Sequence, residues 1–197
     1  MKKIMFDDRY GLTQAVIEGR KTMTRRLELD ADSEYIARHY NPIYKPQHCY
    51  YRDSRGMCQL INYNTRKLFI PHYKVGEIVA VAQSYRSCGN YHVPKEHPGW
   101  SNKLFVTPAL MPYQIRITGI KCERLQDISN TDCLKEGIRQ AYAESILGMY
   151  GYIDHKGTGL WFNTPREAFA ALIDKVSGNG TWASNPLVVV YEFELVK

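Results

Sequence analysis

The chain has 197 residues, of which 44% are hydrophobic, and 26 Lys and Arg against 20 Asp and Glu give a formal net charge of +6. That length supports one substantial core and is short for two, so a single domain over 1–197 is expected. No apolar run reaches the roughly 20 residues that cross a bilayer, and the first residues lack a signal-peptide core; a cytoplasmic protein with no membrane partner is expected.

Five cysteines, Cys49, Cys58, Cys88, Cys122 and Cys133, are an odd number at irregular spacings, which argues for free thiols over a disulfide framework. In chain order, Leu12, Ala15 and Val16 share a helical face and Gly19 stands where helices end in a left-handed residue. This short helix delivers Arg20 to Arg26 as it terminates. Periodicity is then lost over about 27–73, which reads as an irregular insertion with a hairpin around Gln59 to Ile70. Val75-Gly76-Glu77 is a turn into the buried strand Ile78 to Ala82. A second irregular insertion covers about 86–103, and Leu104-Phe105-Val106 reads as a short returning strand.

Tyr113 to Ile117 alternates polar and apolar residues, and Ile120 to Cys122 extends it past a bulge at Gly119. Ser129 and Asp132 have capping-box spacing ahead of a short helix that Gly137 closes. Thr164-Pro165-Arg166-Glu167 is a stronger start signal, with Thr at the cap, Pro at the first position and Glu completing the box. Phe169, Leu172, Ile173 and Val176 fall on one face of that helix. Leu187 to Leu195 begins as a buried strand and finishes in alternation. Such strands, separated by long irregular connections, predict an α+β fold: a small mixed or antiparallel barrel with peripheral helices, not regular strand-helix-strand units.

The densest polar chemistry is in Gly19-Arg20-Lys21-Thr22-Met23-Thr24-Arg25-Arg26. Arg offers phosphate a planar donor fork, Lys a compact charge and Thr a neutral donor or acceptor. A bland alternative is that these cations only complement the negative end of the preceding helix. His48 with Cys49 and Cys58, and Cys88 with His92 and His97, lack the paired spacing of a metal site, so no metal and no cofactor are expected.

The segment 19–26 resembles the opening signature of ASCH-domain proteins in the PUA-like superfamily, larger phage and gut-bacterial members being the most similar. Matches follow in the same order: Val75-Gly76-Glu77 with its strand, Glu123-Arg124-Leu125-Gln126-Asp127-Ile128-Ser129 through Glu136-Gly137, and Asn185-Pro186 ahead of the last strand. Gln83, where many relatives carry an acidic residue, and Leu187, where Trp is frequent, depart from the pattern. The resemblance implies a PUA-like β-barrel whose cleft brings Glu136 toward Lys21 and Thr24. It also implies a binding module for RNA, a nucleotide or a nucleoside, with Arg20, Thr22, Arg25 and Arg26 as ligand contacts. In small family members that hydrolyse N4-acetylcytidine, the catalytic Lys, Thr and Glu match Lys21, Thr24 and Glu136. A hydrolase or ribonuclease, with Thr24 as nucleophile, Lys21 as base and Glu136 as acid or orienter, is therefore the alternative to binding. An interaction protein with a protein partner and a vestigial cleft is the third reading.

Overall fold

The computed structural model of the chain describes residues 1–27, 51–52, 58–61, 68–69, 71–90, 92–143 and 147–196. Its centre is a five-stranded sheet of order β1-β6-β7-β11-β2, built from β1 (Lys3–Ile4), β2 (Met23–Arg26), β6 (Ile78–Val81), β7 (Gln114–Arg124) and β11 (Leu187–Leu195). β1 runs parallel to β6, and the other neighbours are antiparallel. Two three-stranded sheets accompany it. One joins β3 (Tyr51–Arg52), β4 (Cys58–Ile61) and β5 (Leu68–Phe69); the other joins β8 (Arg139–Gln140), β9 (Tyr150–Ile153) and β10 (Gly159–Phe162). With α1 (Leu12–Ile17), α2 (Asn130–Lys135), α3 (Pro165–Ser177) and α4 (Thr181–Ser184) around the sheets, the fold is mixed α+β. The central sheet ends on β1 and β2 and is not closed by a ladder between them.

The residues explain these elements. β11 carries Leu187 to Tyr191 buried on both faces, as a strand covered on either side requires, before it alternates toward the surface. In β7 the expected bulge is present: Glu192 faces Gly119 and Phe193 faces Ile117, leaving Thr118 as the extra residue. α3 starts with a complete capping box between Thr164 and Glu167 and buries Phe169 and Leu172. Each such burial contributes roughly 1.5–3 kcal/mol. α2 is capped by Ser129, whose hydroxyl accepts the Asp132 N–H at 3.1 Å.

Two expectations are corrected. Residues 103–105 form a 3-10 turn and not a strand. The Asn102 side chain accepts the Leu104 N–H, and the Lys3 ammonium gathers the carbonyls of Lys103, Leu104 and Val106 at 2.9, 2.6 and 2.9 Å, which takes them away from any ladder. The chain after α1 is not a simple helix end, because Met23 to Arg26 pair with β11 as an edge strand. Within the first insertion, β4 and β5 pair as the anticipated hairpin, with Leu60 opposite Phe69. Its turn at 62–67, residues 28–50 and the side chains of the insertion's strands lie outside the described residues. Among the described residues, no helix is long and apolar enough to cross a membrane.

Candidate functional site

α1 ends, and the chain turns back under it. The Lys21 N–H donates to the Ala15 carbonyl and the Thr22 N–H to the Lys135 carbonyl, both at 2.9 Å, so the segment is clamped between the ends of α1 and α2. Gly137 makes that approach possible. Its φ is +104°, and a Cβ there would stand 3.3 Å from Leu12 Cδ2 and 3.6 Å from Lys21 Cδ.

The clamp brings Lys21 and Glu136 together. The buried Lys21 Nζ donates to Glu136 Oε2 at 2.6 Å and to the carbonyls of Met23 and Glu136 at 2.8 Å each. An ammonium has three donors, and all three are used. Glu136 Oε1 accepts from Arg25 Nη1 at 3.0 Å, while Arg25 Nε and Nη2 both donate to Glu123 Oε1, at 2.8 and 2.5 Å. Asp132 lies 3.3 Å from Arg25 Nη2, and Lys121 lies 2.9 Å from Glu123. Lys21, Arg25 and Lys121 thus balance Glu123, Asp132 and Glu136 in one network.

Strand register accounts for its membership. Arg25 and Lys121 both pair with Val190 from opposite sides of β11, so they share a sheet face, and Glu123 follows Lys121 by two residues on that face. Thr24 pairs with Tyr191 and faces the other way. Burial lowers the Lys21 pKa, an effect that Glu136 opposes and Arg26 and Arg25 reinforce. Burial also works against the Arg25 charge, but Glu136 and Glu123 outweigh it and raise the pKa.

A cleft of about 320 Å³ opens beside the network, between edge strand β2 and helix α3. Lys21, Thr24, Arg25, Arg26 and Glu136 line its polar side; Phe6, Phe169, Leu172, Ile173 and Val176 line its apolar side. Arg26 Nη2 donates to the Met5 carbonyl at 2.5 Å, with its guanidinium 5.7 Å from the Phe6 ring centre. Among the described residues, no hydrogen bond joins Thr24 to Lys21 or Glu136.

The sequence-selected residues therefore divide. Lys21, Thr24, Arg25, Arg26 and Glu136 meet at this cleft. Thr22 does not line it; its carbonyl accepts the Phe193 N–H. Arg20 turns away, pairs with Glu18 at 2.6 Å and lines a different cleft. Glu123, Asp132 and Lys121 were not selected. The signal for Glu123 was a charged residue following Cys122 at the end of an alternating strand, which becomes informative only once its neighbour across β11 is known. Among the described residues, no group of His, Cys, Asp and Glu is arranged to hold a metal; His48 and Cys49 lie outside them. Comparison of the chain with models of known families, with curated proteins and with solved structures finds no match.

Proposed function

We propose that the cleft between β2 and α3 binds a nucleoside or nucleobase, on a scaffold of the ASCH type within the PUA-like superfamily. The observation that carries this reading is the cleft's two-sided lining, apolar along Phe169, Leu172, Ile173 and Val176 and polar along Lys21, Thr24, Arg25, Arg26 and Glu136. A flat ring with hydrogen-bonding edges suits such a site, and about 320 Å³ lies at the small end of ligand pockets. The local charges favour an uncharged ligand over phosphate as the main contact. Glu136 neutralises Lys21, Glu123 and Glu136 neutralise Arg25, and Arg26 is held by the Met5 carbonyl. That same contact draws the end of β2 toward the residues after β1, as a sheet curling into a PUA-like barrel would require.

Calorimetric titration with cytidine, N4-acetylcytidine and other nucleosides tests the reading. Binding should change little with salt, and Ile173→Trp, which fills the cleft, should weaken it roughly tenfold or more. Absence of binding by every nucleoside would remove the proposal.

Hydrolysis of an acylated nucleoside is the second reading, favoured by the lowered Lys21 pKa and by Thr24 in the same cleft. The Thr24 oxygen would add to the amide carbon while its proton passes to a neutral Lys21; the amine would leave on protonation, and water would then cleave the ester. The Lys21–Glu136 pair must open for this, because its three acceptors hold the resting lysine charged. Conversion of N4-acetylcytidine to cytidine, lost in both Thr24→Val and Lys21→Ala, would support it, and no conversion by the wild-type protein would dismiss it.

A further inference from the structure

Arg20 and Lys21 are adjacent in sequence and face two different clefts. The one holding Arg20 has a volume of about 540 Å³ and is lined by Ile138, Arg139, Ala141, Tyr142, Ile153 and Trp161 among others. It lies on the outer face of the sheet β8-β9-β10. Tyr152, on the opposite face of β9, is buried in the core and meets Tyr10 edge-on.

The register of this small sheet builds a slot. Arg139 of β8 and Trp161 of β10 both pair with Gly151 of β9, so the three positions form one row on one face. Gly151 brings no side chain to the row, and none would fit: a Cβ there would stand 1.9 Å from the Leu160 carbonyl oxygen and 2.9 Å from Trp161 Cε3. A Cβ on Gly159 would stand 2.4 Å from Trp161 Nε1. The indole is therefore laid against two glycines, as a flat plate at the cleft wall. Ile153, two residues from Gly151 on the same face, extends the apolar floor.

Cationic groups stand at the other side of the slot. Among the described residues, no carboxylate lies within ion-pair distance of Arg139. Burial lowers its pKa and the charge of Arg20 adds to the effect, while Glu18 opposes it. Arg20 Nε and Nη2 both approach Glu18 Oε2, at 2.7 and 2.6 Å, so the one carboxylate is taken by Arg20 and none is left for Arg139. Two arginines facing one carboxylate leave a positive charge beside an aromatic plate. Tyr142, 87% exposed, offers a second ring at the rim.

We infer that the Arg20–Arg139–Trp161 cleft is a second ligand site, which takes a phosphorylated nucleoside with its base stacked on Trp161 and its phosphate between Arg139 and Arg20. Stacking on an aromatic ring is sequence-tolerant, and paired guanidinium groups match phosphate oxygens. The nucleotide is either free or one unit of a single strand. This site goes beyond the nucleoside cleft and stands without it, since the two share no lining residue.

The test titrates the full chain with adenosine 5′-monophosphate, adenosine and a short single-stranded oligoadenylate, read by calorimetry and tryptophan fluorescence. The monophosphate should bind and quench fluorescence, and adenosine should bind at this site at least tenfold more weakly. Arg139→Gln should cost about tenfold and lower the salt slope by about one. Trp161→Phe, which keeps a ring, should hold affinity within a few fold and abolish the quench. An oligoadenylate more than about tenfold tighter than the monophosphate supports a strand, and equal affinities support a free nucleotide. Equal quenching by adenosine and its monophosphate, no binding of either phosphorylated probe, or unchanged affinity in both Arg139→Gln and Arg20→Gln would overturn the inference. Failure of the nucleoside cleft reads differently: phosphate-independent binding would be missing while the phosphate-dependent quench remained.

Discussion

Lys21 shows how burial decides what a cation can do. Its three donors end on Glu136 and two carbonyls within 2.8 Å, so little of its charge is left for a ligand. Removing either partner strands a buried charge: Lys21→Met or Glu136→Gln should each cost about 3–5 kcal/mol in denaturant unfolding. Lys21→Met with Glu136→Gln should cost clearly less than the sum of the two, and additive losses would contradict the coupling. Cys133 provides a pH signature in the same region. Burial, with Glu136 and Asp132 adding and Arg25 and Arg166 opposing, pushes its thiol up to about 12 from 9.0. A raised folded-state pKa contributes stability that is full below about 9 and is lost as pH climbs toward about 12. Lys21, with its folded-state pKa lowered, acts in the opposite sense below 10.5. Cys133→Ala should therefore flatten the alkaline decline in unfolding midpoint, and an unaltered decline would refute the assignment. Lys21, Thr24, Arg25 and Glu136, picked out in the sequence, line one cleft. The pairing of Arg25 with Glu123 was not legible there, because 98 residues separate them and only the ladder to β11 brings them together.

At the scale of elements, signals written in neighbouring residues were legible and those supplied by distant ones were not. The capping box of α3 belongs to the first kind: Thr164 accepts the Glu167 N–H at 3.2 Å, and Glu167 returns the contact. Thr164→Ala should cost about 1 kcal/mol, seen as a fall of roughly 2–4 °C in Tm, with nucleoside affinity unchanged. No fall would mean that the box does not hold the helix end. The turn at 103–105 belongs to the second kind. Leu104 and Phe105, with Val106 after them, have strand propensity, but Lys3, about a hundred residues away, collects the carbonyls of Lys103, Leu104 and Val106. β2 is similar, since a cationic run becomes a strand through pairing with Val189 to Glu192.

For the whole molecule, the mixed α+β class followed from strand and helix patterns, while the arrangement of the sheet did not. β1 pairs in parallel with β6 across more than seventy residues, and no local pattern announces such a partner. The net charge of +6 says nothing of where the charge lies: in the cleft between β2 and α3 carboxylates cancel the buried cations, while the unbalanced arginine charge lies at the other cleft. One experiment separates these surfaces directly: methyl NMR of the protein labelled at Leu, Ile and Val, titrated with a nucleoside lacking phosphate. Shifts are expected at Leu12, Leu172, Ile173 and Val176, which line the cleft between β2 and α3, and little change at Ile138 and Ile153. Shifts confined to Ile138 and Ile153, or none at any methyl up to millimolar nucleoside, would contradict the proposal.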